Sequence, residues 1–195
     1  MKYSINKKNY RDFECLEFNK RAGRAYFIPY TGAEQLADTD YREERYRSDM
    51  VTVLSGEWNF RYYEKNTDIP DVFDTQCERF DKVKVPSTWQ RTGYASPVYI
   101  NVAYEITTMP PKLPKVMPAA VYHRNFDINN KDKNYFIAFL GVIPCVDLYI
   151  NGQYAGYSEG AHNTAEFDIT PFVTEGENDL LAVVHKWSNA TFIEC

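Results

Sequence analysis

Long apolar runs are missing from this 195-residue chain. No stretch approaches the roughly 20 consecutive apolar residues that crossing a bilayer requires, and residues 1–8 are polar where a secretory signal has an apolar centre. The expectation is a cytoplasmic protein without a membrane partner. Concentrated positive charge is missing too: 22 Lys and Arg stand against 27 Asp and Glu, a formal net charge of -5, and basic side chains gather only around Arg21 and Arg24. Phosphate binding needs a concentrated positive face, so nucleic acid is not an expected partner. Cysteine is sparse. Cys15, Cys77, Cys145 and Cys195 are far apart, form no CxxC pair and have three histidines to assist them. That disfavours a structural zinc site and a disulfide framework, and leaves four separate thiols packing mostly as small hydrophobes. No metal and no cofactor is expected within this chain.

Apolar residues make up 44% of the sequence and aromatics 16%, enough for burial to offset the ordering entropy of a compact fold. Residues 1–49 are charged and irregular, with isolated apolar anchors at Phe13, Leu16, Tyr26, Phe27 and Ile28. They read as an extended arm packed on the core, with weak helical character in windows 12–20 and 39–46. Residues 50–195 read as a β-sandwich. Residues 51–54 are apolar and β-branched, Ser55 and Gly56 suit a turn, and Trp58, Phe60 and Tyr62 alternate onto one face of a strand. Val83 and Val85 make a short run that stops at Pro86. Four prolines, at 110, 111, 114 and 118, forbid a helix and favour an extended excursion. Strand composition then recurs at 121–128, 135–140, 146–150, 154–158, 166–169 and 180–187. Residues 135–140, apolar on both faces, are expected centrally, and 146–150 alternate as if one face were wetter. Asn151-Gly152 is the strongest hairpin signal, because a type I′ turn needs positive φ at both central residues. About eight short strands without a long amphipathic helix predict an all-β, antiparallel jelly-roll sandwich.

Several segments, taken in order, resemble a known family. They are SGEWNF at 55–60, VPSTWQ at 85–90 followed by Gly93-Tyr94, PVYINVAY at 97–104 and VYHRNF at 121–126. LYING at 148–152 with Gly156-Tyr157-Ser158, AEFDIT at 165–170 and KWS at 186–188 complete the set. The succession resembles the sugar-binding domain of β-galactosidases of glycoside hydrolase family 2, a jelly roll of the galactose-binding kind. Each motif alone is strand and turn grammar; seven in the right order are not.

The resemblance implies a non-catalytic sugar-binding and scaffold domain, cut off before the central and barrel domains of an enzyme that hydrolyses terminal β-galactosides. Both catalytic glutamates of the family lie on that later barrel, so Glu159, Glu166 and Glu194 are read as strand or turn acids and no catalytic residue is assigned. Three residues are expected at the sugar. Asn101 matches an asparagine that reaches the galactose pocket, where its amide offers donor and acceptor; the other reading is a loop residue capping its own backbone. Asn189 stands where the family has an aspartate that binds sodium and helps hold the sugar, and without formal charge the sodium site is expected to be weaker. Trp89 is either a sugar-stacking platform or an aromatic plug fastening its loop. The resemblance further implies magnesium and sodium for the parent enzyme, a β-galactoside-type carbohydrate and the remaining domains of the same chain as partners, and a homo-oligomeric parent. The alternatives are a free-standing carbohydrate-binding module, or the same domain of a β-glucuronidase or β-mannosidase relative.

Overall fold

The computed structural model describes residues 1–98 and 105–193. Its strands follow the alternation in the sequence. In β3 (Gly56–Tyr63) Trp58, Phe60 and Tyr62 pack to one face and Tyr63 to the other, and β6 (Ala119–Ile128), β8 (Cys145–Ile150) and β11 (Gly176–His185) are two-sided in the same way. With β2 (Glu17–Phe18), β5 (Asp81–Val85) and β9 (Gln153–Glu159) they form an antiparallel sheet in the order β2-β9-β8-β11-β6-β3-β5. Two further antiparallel pairs complete the architecture: β1 (Lys2–Ser4) with β4 (Val72–Asp74), and β7 (Phe136–Phe139) with β10 (Ala165–Asp168). This is the all-β jelly-roll sandwich that the strand pattern and the resemblance imply.

Each face of the large sheet has its own core. On one, Val146, Leu148, Ile150, Leu180 and Ala182 meet Ile137 and Phe167 of the β7–β10 pair. On the other, Val121, Tyr149, Leu181 and Val183 meet Tyr3 and Phe73 of the β1–β4 pair. Full burial of each such aliphatic side chain stabilises by about 1.5–3 kcal/mol, so both covers contribute to holding the central strands. Between β8 and β9 the hairpin residues Asn151 (φ 50) and Gly152 (φ 81) have the positive φ the sequence predicts. Gly156 is required for a different reason: a Cβ there would lie 2.4 Å from Cδ1 of Phe167, so the side chain from β10 occupies the space that only glycine leaves.

Four local expectations are corrected. Residues 51–54 form no strand, because the Leu54 carbonyl is taken by side chains, accepting from Trp58 Nε1 at 2.7 Å and Arg124 Nη1 at 2.6 Å. The helical windows 12–20 and 39–46 give way to β2 and turns, and the α-helix is instead α1 (Ala33–Ala37). Phe13, Leu16, Tyr26 and Phe27 are exposed, whereas Tyr3 and Tyr10 are the buried aromatics of the first fifty residues. Finally, β7 and β8 exchange roles. Phe136 and Leu140 are exposed at the periphery, while all six residues of β8 are buried between β9 and β11. Asp147 and Tyr149 look solvent-facing in the sequence because their partners are remote: the Asn6 backbone N–H donates to the Tyr149 hydroxyl at 2.7 Å, and the Tyr154 hydroxyl donates to Asp147 Oδ1 at 2.8 Å.

Candidate sugar-binding site

Asn189 follows β11, whose last residues carry the chain out of the sheet. Ser188 precedes a short 3-10 turn, Asn189–Phe192, and its backbone N–H donates to Thr191 Oγ1 at 3.0 Å, which fixes the entry to the turn. Asn189 itself is only 5% exposed, and both its Nδ2 and its Oδ1 are buried without a hydrogen-bond partner. Leaving a buried donor and acceptor unpaired costs about 1–3 kcal/mol for each group, so this amide carries an unmet hydrogen-bonding cost within the chain.

Trp89 lies in the loop after β5. Its Nε1 donates to the Tyr122 hydroxyl at 2.8 Å, and its ring meets Tyr62 edge-on at 5.3 Å. The Trp89 carbonyl accepts from the Tyr94 N–H at 2.9 Å, so the tryptophan fastens its own loop to β3 and β6. None of the hydrogen bonds or ring contacts of the described residues joins Trp89 to Asn189. Asn101 lies outside the described residues.

Several acids and bases of the sheet are buried polar groups that the strand pattern conceals. Glu159, at the end of β9, receives the Tyr157 hydroxyl on Oε2 at 3.1 Å, while Oε1 is buried and unpartnered. Burial raises its carboxyl above the ordinary range, although Ser188 and the N–H groups of Asn189 and Ala190 face it and oppose the rise. His185 is 2% exposed and stacks on Tyr10 at 3.9 Å, with both ring nitrogens unpartnered; burial pushes it down to about 3, so the imidazole is neutral. Asp147 has Oδ2 unpartnered, and burial pushes its carboxyl up to about 7. Glu166, by contrast, is neutralised by Arg21 at 2.7 Å and Arg24 at 2.5 Å. No signal in the sequence marks Asp147 or His185, since a charged residue in an alternating strand ordinarily faces water.

The profile of the family described as "Glycosyl hydrolases family 2, sugar binding domain" matches residues 51–195. The chain belongs to this family. Among its relatives, the β-galactosidase of Actinobacillus pleuropneumoniae is 37% identical over 186 residues, which is 95% of this chain and 18% of that protein. The β-galactosidase of Kluyveromyces lactis is 39% identical over 158 residues, 76% of this chain and 15% of that protein. This family 2 domain thus spans less than a fifth of the length of the relatives it matches. The solved structure of Bifidobacterium dentium β-glucuronidase complexed with coumarin-3-O-glucuronide aligns with 68% of this chain and 19% of that one, at 23% identity and a TM-score of 0.46. Among the described residues no helix is long and apolar enough to cross a membrane.

Proposed function

We propose that this family 2 domain is the non-catalytic, sugar-binding scaffold of a β-galactosidase that hydrolyses terminal β-galactosides with retention, the chemistry being done by residues outside this chain. The relatives named β-galactosidase support the substrate class, and the share of their length that the chain spans supports a part played within a larger enzyme. Retention requires two carboxyl groups about 5 Å apart; we assign neither to this domain. Large exposed side chains such as Phe13, Phe27, Leu36 and Tyr41 offer apolar surface for contacts with remaining domains or with further subunits of a homo-oligomer.

The observation that carries the reading is the buried, unpartnered amide of Asn189. A planar amide with a free donor and a free acceptor suits vicinal sugar hydroxyls. Asn101 is the second proposed sugar contact, and Trp89 holds its own loop to β3 and β6. If the parent uses sodium at this place, Asn189 Oδ1 is the atom of this chain that would meet it, as a neutral oxygen rather than a carboxylate. Among the described residues no group of three or more His, Cys, Asp or Glu side chains is arranged to hold a metal, and magnesium is assigned no ligand here. In the complete enzyme, Asn189→Ala and Asn101→Ala should each lower kcat/KM by about tenfold, the equivalent of one lost hydrogen bond. Kinetics equal to the parent enzyme in both variants would remove this domain from the sugar pocket.

A further inference from the structure

One face of the large sheet changes from apolar to polar along β6 and β11. Val121 of β6 and Leu181 and Val183 of β11 are covered by Tyr3 and Phe73 of the β1–β4 pair. By strand alternation the next residues of that face are His123 and Asn125 on β6, and Asp179 and Glu177 on β11, with Asn125 opposite Asp179. The cover ends beside them. Met1 and the Thr75-Gln76 turn after β4, joined by the Thr75 N–H donating to the Met1 carbonyl at 2.9 Å, flank these side chains. Between that wall and the polar floor lies a cleft of about 340 Å³, which Asn151 of the β8–β9 hairpin also lines. The floor is rigid. Asn59 Nδ2 is 2.8 Å from His123 Nδ1, His123 Nε2 is 3.0 Å from Asp179 Oδ2, and the imidazole stacks on Phe80 at 5.4 Å. The Tyr3 hydroxyl donates to Asp179 Oδ1, the Asp179 backbone N–H donates to Asn151 Oδ1 at 2.9 Å, and the Asn151 amide donates to Asn178 Oδ1 at 2.7 Å. The rim is free: Gln76, Asn125 and Glu177 are exposed, and among the described residues no hydrogen bond or ion pair engages their side chains.

A fixed floor beside free planar side chains suits a ligand that both donates and accepts. The rim offers two amides, each a donor and an acceptor, and one carboxylate that accepts; Asp179 keeps acceptor capacity beyond its two bonds, since a carboxylate has about four lone-pair sites. An anion only accepts, and would meet Glu177 and Asp179 with like charge. A guanidinium only donates, and would leave the amide NH₂ groups of Gln76 and Asn125 unmatched. Ring hydroxyls do both. The volume lies at the lower end of the roughly 300–1,000 Å³ of ligand clefts, which fits one ring rather than a chain of rings. We infer that this cleft is a second carbohydrate site, holding a single neutral hexose unit by hydrogen bonds from Gln76, Asn125 and Glu177 above Asp179. It is independent of the reading of Asn189. Glu177 and His185 lie near opposite ends of β11, about 27 Å apart at the usual rise of a strand, and Asn189 comes after His185.

The test is a titration of the isotope-labelled 195-residue protein with methyl β-galactoside, followed in a nitrogen–proton correlation spectrum. The side-chain amide signals of Gln76, Asn125 and Asn151 should move together and saturate. With hydrogen bonds alone to hold the ring, the expected Kd is about 1 mM. Asn125→Ala and Glu177→Ala, both at exposed positions, should each weaken binding by about five- to tenfold, one hydrogen bond's worth. Asn189→Ala should leave this titration as it is, and free arginine in place of the sugar should bind more weakly. Signals that stay still at ten times the expected Kd, a titration that neither Asn125→Ala nor Glu177→Ala alters, or arginine binding tighter than the sugar would overturn the inference. Movement confined to residues 188–190 and abolished by Asn189→Ala would overturn it as well, because all sugar binding would then belong to the turn after β11.

Discussion

Replacing Asp147 by asparagine should stabilise the domain at alkaline pH and cost it about 1 kcal/mol in acid. Asp147 is fully buried in the middle of β8, with one carboxyl oxygen bonded to the Tyr154 hydroxyl and the other unpartnered. Burial raises its carboxyl from an ordinary 3.8 to about 7 in the folded chain. The folded state therefore retains a proton that the unfolded state has lost between those two values. Stability falls as pH rises from about 4 to about 7, and the full penalty is present above it. A difference of roughly three units at about 1.4 kcal/mol each makes that penalty about 4 kcal/mol. Asparagine carries no charge at any pH and its Oδ1 can still accept from Tyr154, but its Nδ2 is one more unpaired buried donor, costing about 1 kcal/mol or more. The net gain at pH 8 is then about 3 kcal/mol, or roughly 6–12 °C in Tm for a chain of this size. Urea titrations of parent and variant at pH 5, 6, 7 and 8 read the difference directly. A difference that stays constant across that range would refute the burial argument for Asp147.

His185 works in the opposite sense: its folded value of about 3 lies below the ordinary 6.5, so the stability of the neutral imidazole is present above 6.5 and is lost as pH falls toward 3. His185→Leu should thus tolerate pH 4 better than the parent, measured as the shift of the acid unfolding midpoint. Gly156→Ala would place its Cβ 2.4 Å from Phe167, and such overpacking should destabilise by about 1–3 kcal/mol in urea. Tyr3→Phe removes the hydroxyl that donates to the Asp179 carboxylate, which should cost about 1.5–3 kcal/mol and speed proteolysis in the first few residues.

The local alternation of Trp58, Phe60 and Tyr62, the Asn151-Gly152 turn and the stop at Pro86 were legible because each is decided within a few residues of chain. The burial of β8 was not, since Asp147 and Tyr149 are made tolerable by Tyr154, across the hairpin, and by Asn6, far away in sequence. The same remoteness hid the arm's true anchors: Tyr3 and Tyr10 differ from Phe13 and Phe27 in what they meet, not in composition. The resemblance of its surrounding motif singles out Asn189 in the sequence, but not the burial of its amide, which depends on how the turn after β11 packs.

In the proposed function the sugar chemistry is done by atoms outside this chain. The purified 195-residue protein, incubated at micromolar concentration with a nitrophenyl β-galactoside, tests that most directly. Release of nitrophenol no faster than in buffer is the predicted result; sustained turnover that scales with protein concentration would contradict it.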